Sequence, residues 1–255
     1  MKQFLRKTLL AWVVPAVIVL AWIYATTFTG VPAGILPGIP QVWNALCDML
    51  ASGQLQADLG ISLLRVVKGF LASAVFGTVL GSLIGMFRPV RELLLPTITV
   101  IRQIPMIAWI PLIILWCGIG ETSKVVIIVL AAFFPILVNT ESGIAGTPES
   151  YLEVARLYKL NRWKTFRKVY LPYALPHILV GLRLGLGVSW MAVVAAELIA
   201  AVSGIGYRMS NARSLMRPDI VIVCMIVVGL VGVLMDRIIG YLFSVLTPWE
   251  KVQRK

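Results

Sequence analysis

Long apolar runs recur along the chain, and they constrain its fold more than any other feature of the sequence. About 20 mostly apolar residues in a helix cross the hydrocarbon core of a bilayer. Because lipid cannot satisfy the hydrogen bonds of irregular backbone, each run is expected to be helical. The sequence therefore predicts an all-α integral membrane protein with six transmembrane helices, at about residues 9–28, 64–86, 94–117, 124–144, 177–200 and 219–240.

The composition excludes a soluble protein and argues against one that binds nucleic acid. Hydrophobic residues make up 59% of the 255 residues and charged residues 13%, whereas about a quarter of a soluble domain is charged. The formal net charge is +12, but the basic residues flank the apolar runs and do not alternate with aromatic residues as on a nucleic-acid platform. The charge therefore indicates a membrane partner. The three cysteines are widely separated, which predicts neither a disulfide nor a metal site.

The distribution of lysine and arginine predicts the orientation. With the N-terminus inside, 14 of these residues fall on cytoplasmic segments and 6 on external ones, in line with the positive-inside rule. Both termini of this multi-pass protein are therefore predicted to be cytoplasmic. The parts are a first transmembrane helix, an external loop with a short amphipathic helix, a core domain with the other five transmembrane helices, and a cytoplasmic tail, at residues 1–29, 30–61, 62–246 and 247–255.

The run at 94–117 is irregular. It contains Pro96, Pro105 and Pro111, and the polar pair Arg102 and Gln103 lies between them. Proline removes a backbone hydrogen bond and bends or breaks a helix. A broken helix at membrane depth is tolerated where it is buried in protein or lines a water-filled cavity. We therefore expect this run to be broken and to line a solute pathway.

Charged groups inside the runs leave two interpretations open. An ionised side chain at the centre of a membrane helix costs about 2.5–3.5 kcal/mol on insertion scales, so it usually faces a partner or a cavity. Glu197 and Arg102 therefore either line a pathway or gate, or form interhelical ion pairs or hydrogen bonds. The candidate pathway and gate residues are Arg102, Gln103, Trp190, Met191 and Glu197.

A basic loop, about residues 147–176, separates the fourth and fifth runs. It opens with Thr147-Pro-Glu-Ser, a typical start of a helix. Apolar residues at helical spacing follow, interleaved with lysine and arginine in the second half. The pattern predicts two short amphipathic helices joined near residues 159–161. The alternative is a segment that lies on anionic lipid, which the same basic residues would serve.

The segment from Glu153 to Pro172 resembles the EAA loop of the permease subunits of bacterial type I ABC importers. The family pattern is roughly E-A-A-x-x-x-G, a gap of nine residues and I-x-L-P. Glu153, Ala155 and the closing Val-Tyr-Leu-Pro match this pattern. The chain departs from it at Val154, where the family has alanine, and at Lys159, where the family has the glycine of the bend between two short helices.

The resemblance extends over nearly the whole chain. The branch of the family that imports taurine, alkanesulfonates and nitrate has similar segments at 62–70, 104–112, 115–120, 181–187 and 246–249. The resemblance implies the type I ABC importer permease fold and a homodimer that forms the solute pathway in the bacterial inner membrane. It also implies two ABC ATPase subunits that bind ATP-Mg, and a periplasmic or extracellular solute-binding protein. No cofactor is expected in this chain itself.

The resemblance makes the loop a cytoplasmic coupling helix that docks on the ATPase. Leu157, Tyr158, Leu160 and Trp163 are the anchors that we expect in this contact, since aromatic and large apolar anchors dominate interfaces. The full set of expected coupling residues is Glu153, Ala155, Leu157, Tyr158, Lys159, Leu160, Arg162 and Trp163.

No catalytic motif accompanies these features. The segment 118–124 lacks the Gly-Lys pair of a Walker A loop, and neither H-E-x-x-H nor G-x-S-x-G occurs. His177 is the only histidine. The sequence therefore predicts that this chain is not an enzyme. Two other functions stay open: a self-sufficient channel or secondary transporter, and a membrane scaffold that recruits a partner through its basic loop.

Overall fold

The computed structural model describes the backbone of residues 2–246 and the side chains of residues 12–245. The described part consists of helices and their connections, without a strand. The predicted tail 247–255 and the family-like ending 246–249 lie outside the described side chains. The helices are α1 Lys2–Phe28, α2 Ile39–Ala51, α3 Gln54–Met86, α4 Arg88–Ile101, α5 Met106–Cys117, α6 Glu121–Ala145, α7 Glu149–Leu157, α8 Arg162–Thr165, α9 Leu171–Ala200, α10 Ile205–Ser214 and α11 Pro218–Leu246.

Four helical segments are long and apolar enough to cross a membrane: α3, α6, the continuous segment Arg162–Ala200 that contains α8 and α9, and α11. The bent pair of α4 and α5 gives a fifth if it counts as one span, and the described part of α1, Trp12–Phe28, is a shorter apolar helix. The all-α membrane fold is therefore confirmed. The number of six spans stays a prediction.

Several helices extend beyond the apolar runs that predicted them, and α3 and α9 do so at their starts. Helix α3 begins at Gln54, ten residues before the expected start at 64, and α9 begins at Leu171 instead of 177. In α3 the additional turns carry Asp58 and Ser62, which are buried. Hydropathy marks only the part of a helix that matches lipid, whereas hydrogen bonds to neighbouring helices continue the helix past that limit.

The predicted break falls between α4 and α5. The two helices meet at an angle of 98°, and Pro105 directly precedes α5. Proline has no N–H to donate and disfavours helical backbone in the residue before it, which ends α4 at this point. Pro96 and Pro111 lie inside α4 and α5 without ending them.

Small residues let three helices approach closely and form the centre of the bundle. On α3, Gly69, Gly77, Gly81 and Gly85 all face α6. A Cβ added at Gly81 would lie 2.6 Å from the carbonyl oxygen of Leu137. On α9, Gly181 and Gly185 face α6 in the same way, and Cβ atoms there would overlap Asn139 and Ile136. Small residues at this spacing therefore bring the helix backbones together.

Helix α2 lies in the segment where the sequence predicts a short amphipathic helix. It buries Val42, Ala45 and Met49 against α3 and α11. Leu50, which the helical spacing also assigns to the apolar face, is exposed. Trp22 connects α1 to this region, because its indole N–H donates to the carbonyl oxygen of Pro37 at 2.9 Å.

We predict that Gly81→Ala destabilises the protein by about 1–3 kcal/mol, the usual cost of overpacking. The added methyl would meet backbone of α6, which cannot move aside as a side chain end does. Gly60→Ala is the matched control: Gly60 also lies in α3, but its added Cβ meets nothing within 4 Å. Gly60→Ala is expected to stabilise by about 0.5–1 kcal/mol. Thermal unfolding in detergent measures both, and an equal effect of the two substitutions would contradict the packing argument.

Candidate functional site

The basic loop folds into a helical hairpin made of α7, a tight turn and α8. The turn closes with two backbone hydrogen bonds, from the N–H of Leu160 to the oxygen of Ala155 at 3.0 Å and from Lys159 to Arg156 at 2.9 Å. This is the Schellman arrangement, whose central residue adopts left-handed backbone. Lys159 takes that position with a φ of 49°. The predicted bend is therefore present, and lysine adopts a conformation that glycine would adopt more easily.

The start of α8 is fixed by a side-chain cap. Asn161 accepts a hydrogen bond from the backbone N–H of Lys164 at 2.8 Å. Asparagine is among the preferred N-cap residues because its oxygen satisfies an N–H that has no partner within the helix. A π-helical turn, Phe166–Tyr170, then joins α8 to α9. The helical backbone runs without a loop from the hairpin into the membrane.

One side of the hairpin, which we call its inner side, packs on the bundle. Ala155 is buried, Leu152 and Leu160 are half-buried, and all three line a cavity of about 430 Å³ together with Met86 and Phe87 at the end of α3. Leu160, expected as an anchor for a partner, therefore lies on this inner side.

Aromatic contacts add to this inner packing. The guanidinium of Arg162 lies 5.7 Å from the centre of the Phe87 ring, within the range of a cation–π contact. The rings of Trp163 and Phe166 lie 5.7 Å apart. The first contact holds the start of α8 against the end of α3, and the second lies within the helical segment that begins at Arg162.

The tip of the hairpin presents large apolar side chains to solvent. Leu157 is 80% exposed, Tyr158 78% and Trp163 68%. Glu153 and Lys159 are exposed beside them. Burying one large apolar side chain contributes about 1.5–3 kcal/mol, so this tip could bind a partner strongly.

At the opposite end of α9, Glu197 forms a buried ion pair. Its carboxylate accepts hydrogen bonds from Arg65 at 2.6 Å, from Ser62 at 2.8 Å and from the backbone N–H of Gly206 at 2.9 Å. Arg65 also pairs with Glu121 at the start of α6. Of the two interpretations of Glu197 that the sequence left open, the structure shows the interhelical ion pair.

The same cluster holds α10 in place. Asp58 of α3 accepts from the side chain of Arg208 at 2.8 Å and from the backbone N–H of Gly204 at 3.1 Å. Gly204 has a φ of 107°, and a Cβ there would overlap the carboxylate of Glu197. Glycine is therefore required for both its conformation and its close approach.

The sequence predictions miss most of this cluster, because hydropathy places Asp58 in the external loop 30–61 and gives Arg65 no interhelical role. The signal that could have found them is their helical spacing. Asp58, Ser62 and Arg65 lie four and three residues apart, so they share one face of a helix that begins earlier than the hydropathy suggests.

The remaining pathway candidates separate into exposed and buried residues. Arg102 and Gln103 are exposed at the break between α4 and α5, and Met191 is exposed on α9. Trp190 is buried between α9 and α11, where its indole N–H donates to the carbonyl oxygen of Val228 at 2.9 Å.

Arg102 lines a cavity of about 410 Å³ at the break. Met106, Trp109, Phe134 and Leu184 are among the other residues of its wall. The wall contains no carboxylate, so Arg102 gives the cavity a positive charge.

Across the side chains of residues 12–245, no group of three or more His, Cys, Asp or Glu residues is placed to hold a metal ion.

Comparisons with known proteins agree with this architecture. The family model described as binding-protein-dependent transport system inner membrane component matches residues 74–245. The putative aliphatic sulfonates transport permease of Bacillus subtilis is 37% identical, over 92% of this chain and 86% of its own length. The nitrate import permease of Synechocystis sp. is 38% identical, over 83% of this chain and 78% of its own length.

Solved structures share the fold at lower sequence identity. A crystal structure of an amino acid ABC transporter with histidines superimposes with a TM-score of 0.62 at 17% identity, over 79% of this chain and 96% of that chain. At this identity the similarity concerns the fold alone.

We predict that Glu197→Ala destabilises the protein by about 3–5 kcal/mol, because it leaves a buried arginine with one partner fewer. Glu92→Ala is the control, since its ion pair with Arg88 is exposed on both sides and is worth at most about 1 kcal/mol. Thermal unfolding of the purified variants compares them. Equal unfolding temperatures would show that the buried cluster contributes little.

We also predict a stability order at position 159. Lys159→Gly is expected to unfold at the same temperature as the unsubstituted protein or higher, because glycine adopts left-handed backbone freely. Lys159→Ile is expected to lose about 1–2 kcal/mol, because a β-branched residue fits this conformation poorly. Thermal unfolding tests the order, and an isoleucine variant as stable as the glycine variant would contradict the observed turn.

Proposed function

Because the chain belongs to the family of inner membrane components of binding-protein-dependent transport systems, we propose that it is the permease subunit of an ATP-driven importer. Two copies would form the solute pathway. Two separate ATPase subunits would drive it, and a solute-binding protein would deliver the solute from outside. The hairpin of α7 and α8 and both chain ends would then face the cytoplasm, as the distribution of basic residues predicts.

The observation that carries this proposal is the exposed apolar tip of the hairpin. Leu157, Tyr158 and Trp163 are exposed although large apolar side chains favour burial. On the other side of the same hairpin Ala155 is buried and the guanidinium of Arg162 lies against the Phe87 ring, so the tip is attached to the bundle and is not a free loop. A groove on an ATPase subunit would bury this tip.

The connections of the hairpin supply a route for coupling. α6 leads into α7, and α8 continues into α9 without a loop. α6 and α9 pack against each other through close contacts at Gly181 and Gly185. A displacement of the hairpin would therefore move both helices together, because packed helices shift as rigid bodies more easily than they deform.

The proposed solute is a small anion such as a sulfonate, taurine or nitrate. Two relatives are named for aliphatic sulfonates and for nitrate. Arg102 gives the cavity at the helix break a positive charge, and no carboxylate in its wall opposes that charge. A guanidinium donates to two oxygens of such an anion in one plane.

We predict that the double variant Leu157→Ala, Tyr158→Ala loses ATP-driven uptake. The two truncations remove anchors that are each expected to contribute about 2 kcal/mol or more to docking, which corresponds to at least a tenfold weaker ATPase contact for each. The measurement combines affinity for the cognate ATPase with uptake of labelled taurine, ethanesulfonate and nitrate into vesicles that contain the full transporter.

Trp43→Ala is the matched control, because Trp43 is a large exposed side chain on α2, away from the hairpin. Its uptake and ATPase binding are expected to be unchanged. Full uptake by the double variant would refute the docking role of the tip. Uptake by this chain without any ATPase would instead identify a self-sufficient channel or secondary transporter.

A further inference from the structure

An exposed ion pair joins α9 to α11. The guanidinium of Arg183 donates to both oxygens of Asp236, from Nε at 2.6 Å and from Nη2 at 2.5 Å. In contrast to the buried pair of Arg65 and Glu197, these side chains are 48% and 53% exposed. A bidentate ion pair is therefore exposed on the surface of the single chain.

The position of this pair along the helices makes its exposure informative. Arg183 lies 12 residues after the start of α9, or about 18 Å along it, and Asp236 lies 10 residues before the end of α11, or about 15 Å. Both residues also lie inside the predicted spans 177–200 and 219–240, six and four residues from the predicted cytoplasmic ends of these spans. Charged groups at this depth are costly against lipid and almost always face protein or water. The face of the bundle that carries the pair is therefore more stable against protein or water than against lipid.

The neighbouring surface of α9 is unpacked over several turns. We call it the α9 stripe, made of residues Val180, Arg183, Leu184, Gly187 and Met191, which recur at helical spacing and are all exposed. The stripe reaches the cavity at the helix break, whose wall includes Leu184 together with Arg102.

Gly187 distinguishes the stripe from the packed faces of α9. A Cβ added at Gly181 or Gly185 would overlap α6, whereas one added at Gly187 meets nothing within 4 Å. Glycine within a helix costs about 0.5–1 kcal/mol relative to alanine. No contact within the described chain compensates this cost, and the space beside Gly187 is open in the single chain.

We propose that Arg183 contacts the solute anion in the pathway and that Asp236 is its resting counter-ion. This inference rests on the proposed import of a small anion. A sulfonate or nitrate offers the guanidinium two oxygens in the same geometry as the carboxylate of Asp236. The solute anion therefore displaces Asp236 when it binds, and Asp236 displaces the anion when it leaves. Competition by Asp236 keeps the site weak, and a pathway site must bind loosely enough to release its ion.

Gly240 supports this arrangement on the side of α11. A Cβ added there would lie 3.4 Å from the guanidinium carbon of Arg183. This distance is an ordinary van der Waals contact, so the guanidinium lies along α11 beside residue 240.

The first test measures charge-selective access to the stripe and does not depend on the identity of the solute. Met191→Cys is made in a variant without the native Cys47, Cys117 and Cys224, and the full transporter in vesicles is treated with negatively charged sulfonatoethyl or positively charged trimethylammonioethyl methanethiosulfonate. Arg183 is expected to make the negative reagent react about tenfold faster than the positive one. Arg183→Gln is expected to abolish this preference, and Asp236→Asn to increase it.

Val75→Cys is the control position, because Val75 lies on an exposed apolar face of α3; it is expected to react with neither reagent. Absence of reaction at position 191 would overturn the proposal, since the stripe would not be open to water. A preference that survives Arg183→Gln would overturn it as well.

The second test exchanges the two charges. Arg183→Asp combined with Asp236→Arg restores an ion pair between α9 and α11, so a purely structural pair would regain full uptake of labelled taurine, ethanesulfonate or nitrate. We expect uptake at least tenfold below that of the unsubstituted chain, because the guanidinium has left α9 and a carboxylate replaces it. Full uptake by the exchanged variant would refute the role of Arg183. If the unsubstituted transporter takes up none of these anions, the proposed function fails, while the thiol reactions still decide whether Arg183 faces the pathway.

Discussion

The close approach of α3, α6 and α9 is the constraint on which the rest of the structure depends. In a bilayer the hydrophobic effect does not drive helices together, because lipid tails are as apolar as leucine, so association rests on packing and on interhelical hydrogen bonds. The glycines of α3 and α9 let both helices contact α6 at backbone distance. The buried cluster around Glu197 then fixes the register of these three helices at one end, and the hairpin is built on them at the other.

These two ends differ in how their polar groups are satisfied. At the α10 end, Glu197, Arg65 and Asp58 are buried and have charged partners. At the hairpin end, apolar groups are left in solvent and the ion pair of Glu149 and Arg156 is exposed. A transporter needs one part that transmits force and one that receives it. The bundle therefore combines an end fixed by buried ion pairs with an end that exposes large apolar side chains, which the proposed ATPase contact would bury.

The sequence predicted the helical class, the break near Pro105 and the two short helices of the loop, because each has a local cause: apolar length, a missing N–H and a change of periodicity. It could not predict the starts of α3 and α9, since those turns are stabilised by contacts across the bundle and not by hydropathy. The partners of Glu197 were missed for the same reason. Trp190 and Met191 are adjacent in sequence, yet one is buried and one exposed, and only the packing of α11 decides which.

The left-handed turn at Lys159 has a consequence for partner choice. Glycine at this bend contributes no side chain, so the tip of such a hairpin presents only backbone at that point. Here the bend carries an exposed ammonium group next to Leu157 and Tyr158. A groove that receives this tip must leave room for a lysine and must not place a cation opposite it. A groove shaped around glycine meets neither requirement, so on the proposed docking to an ATPase the residue that completes the turn would also discriminate between ATPases of related importers.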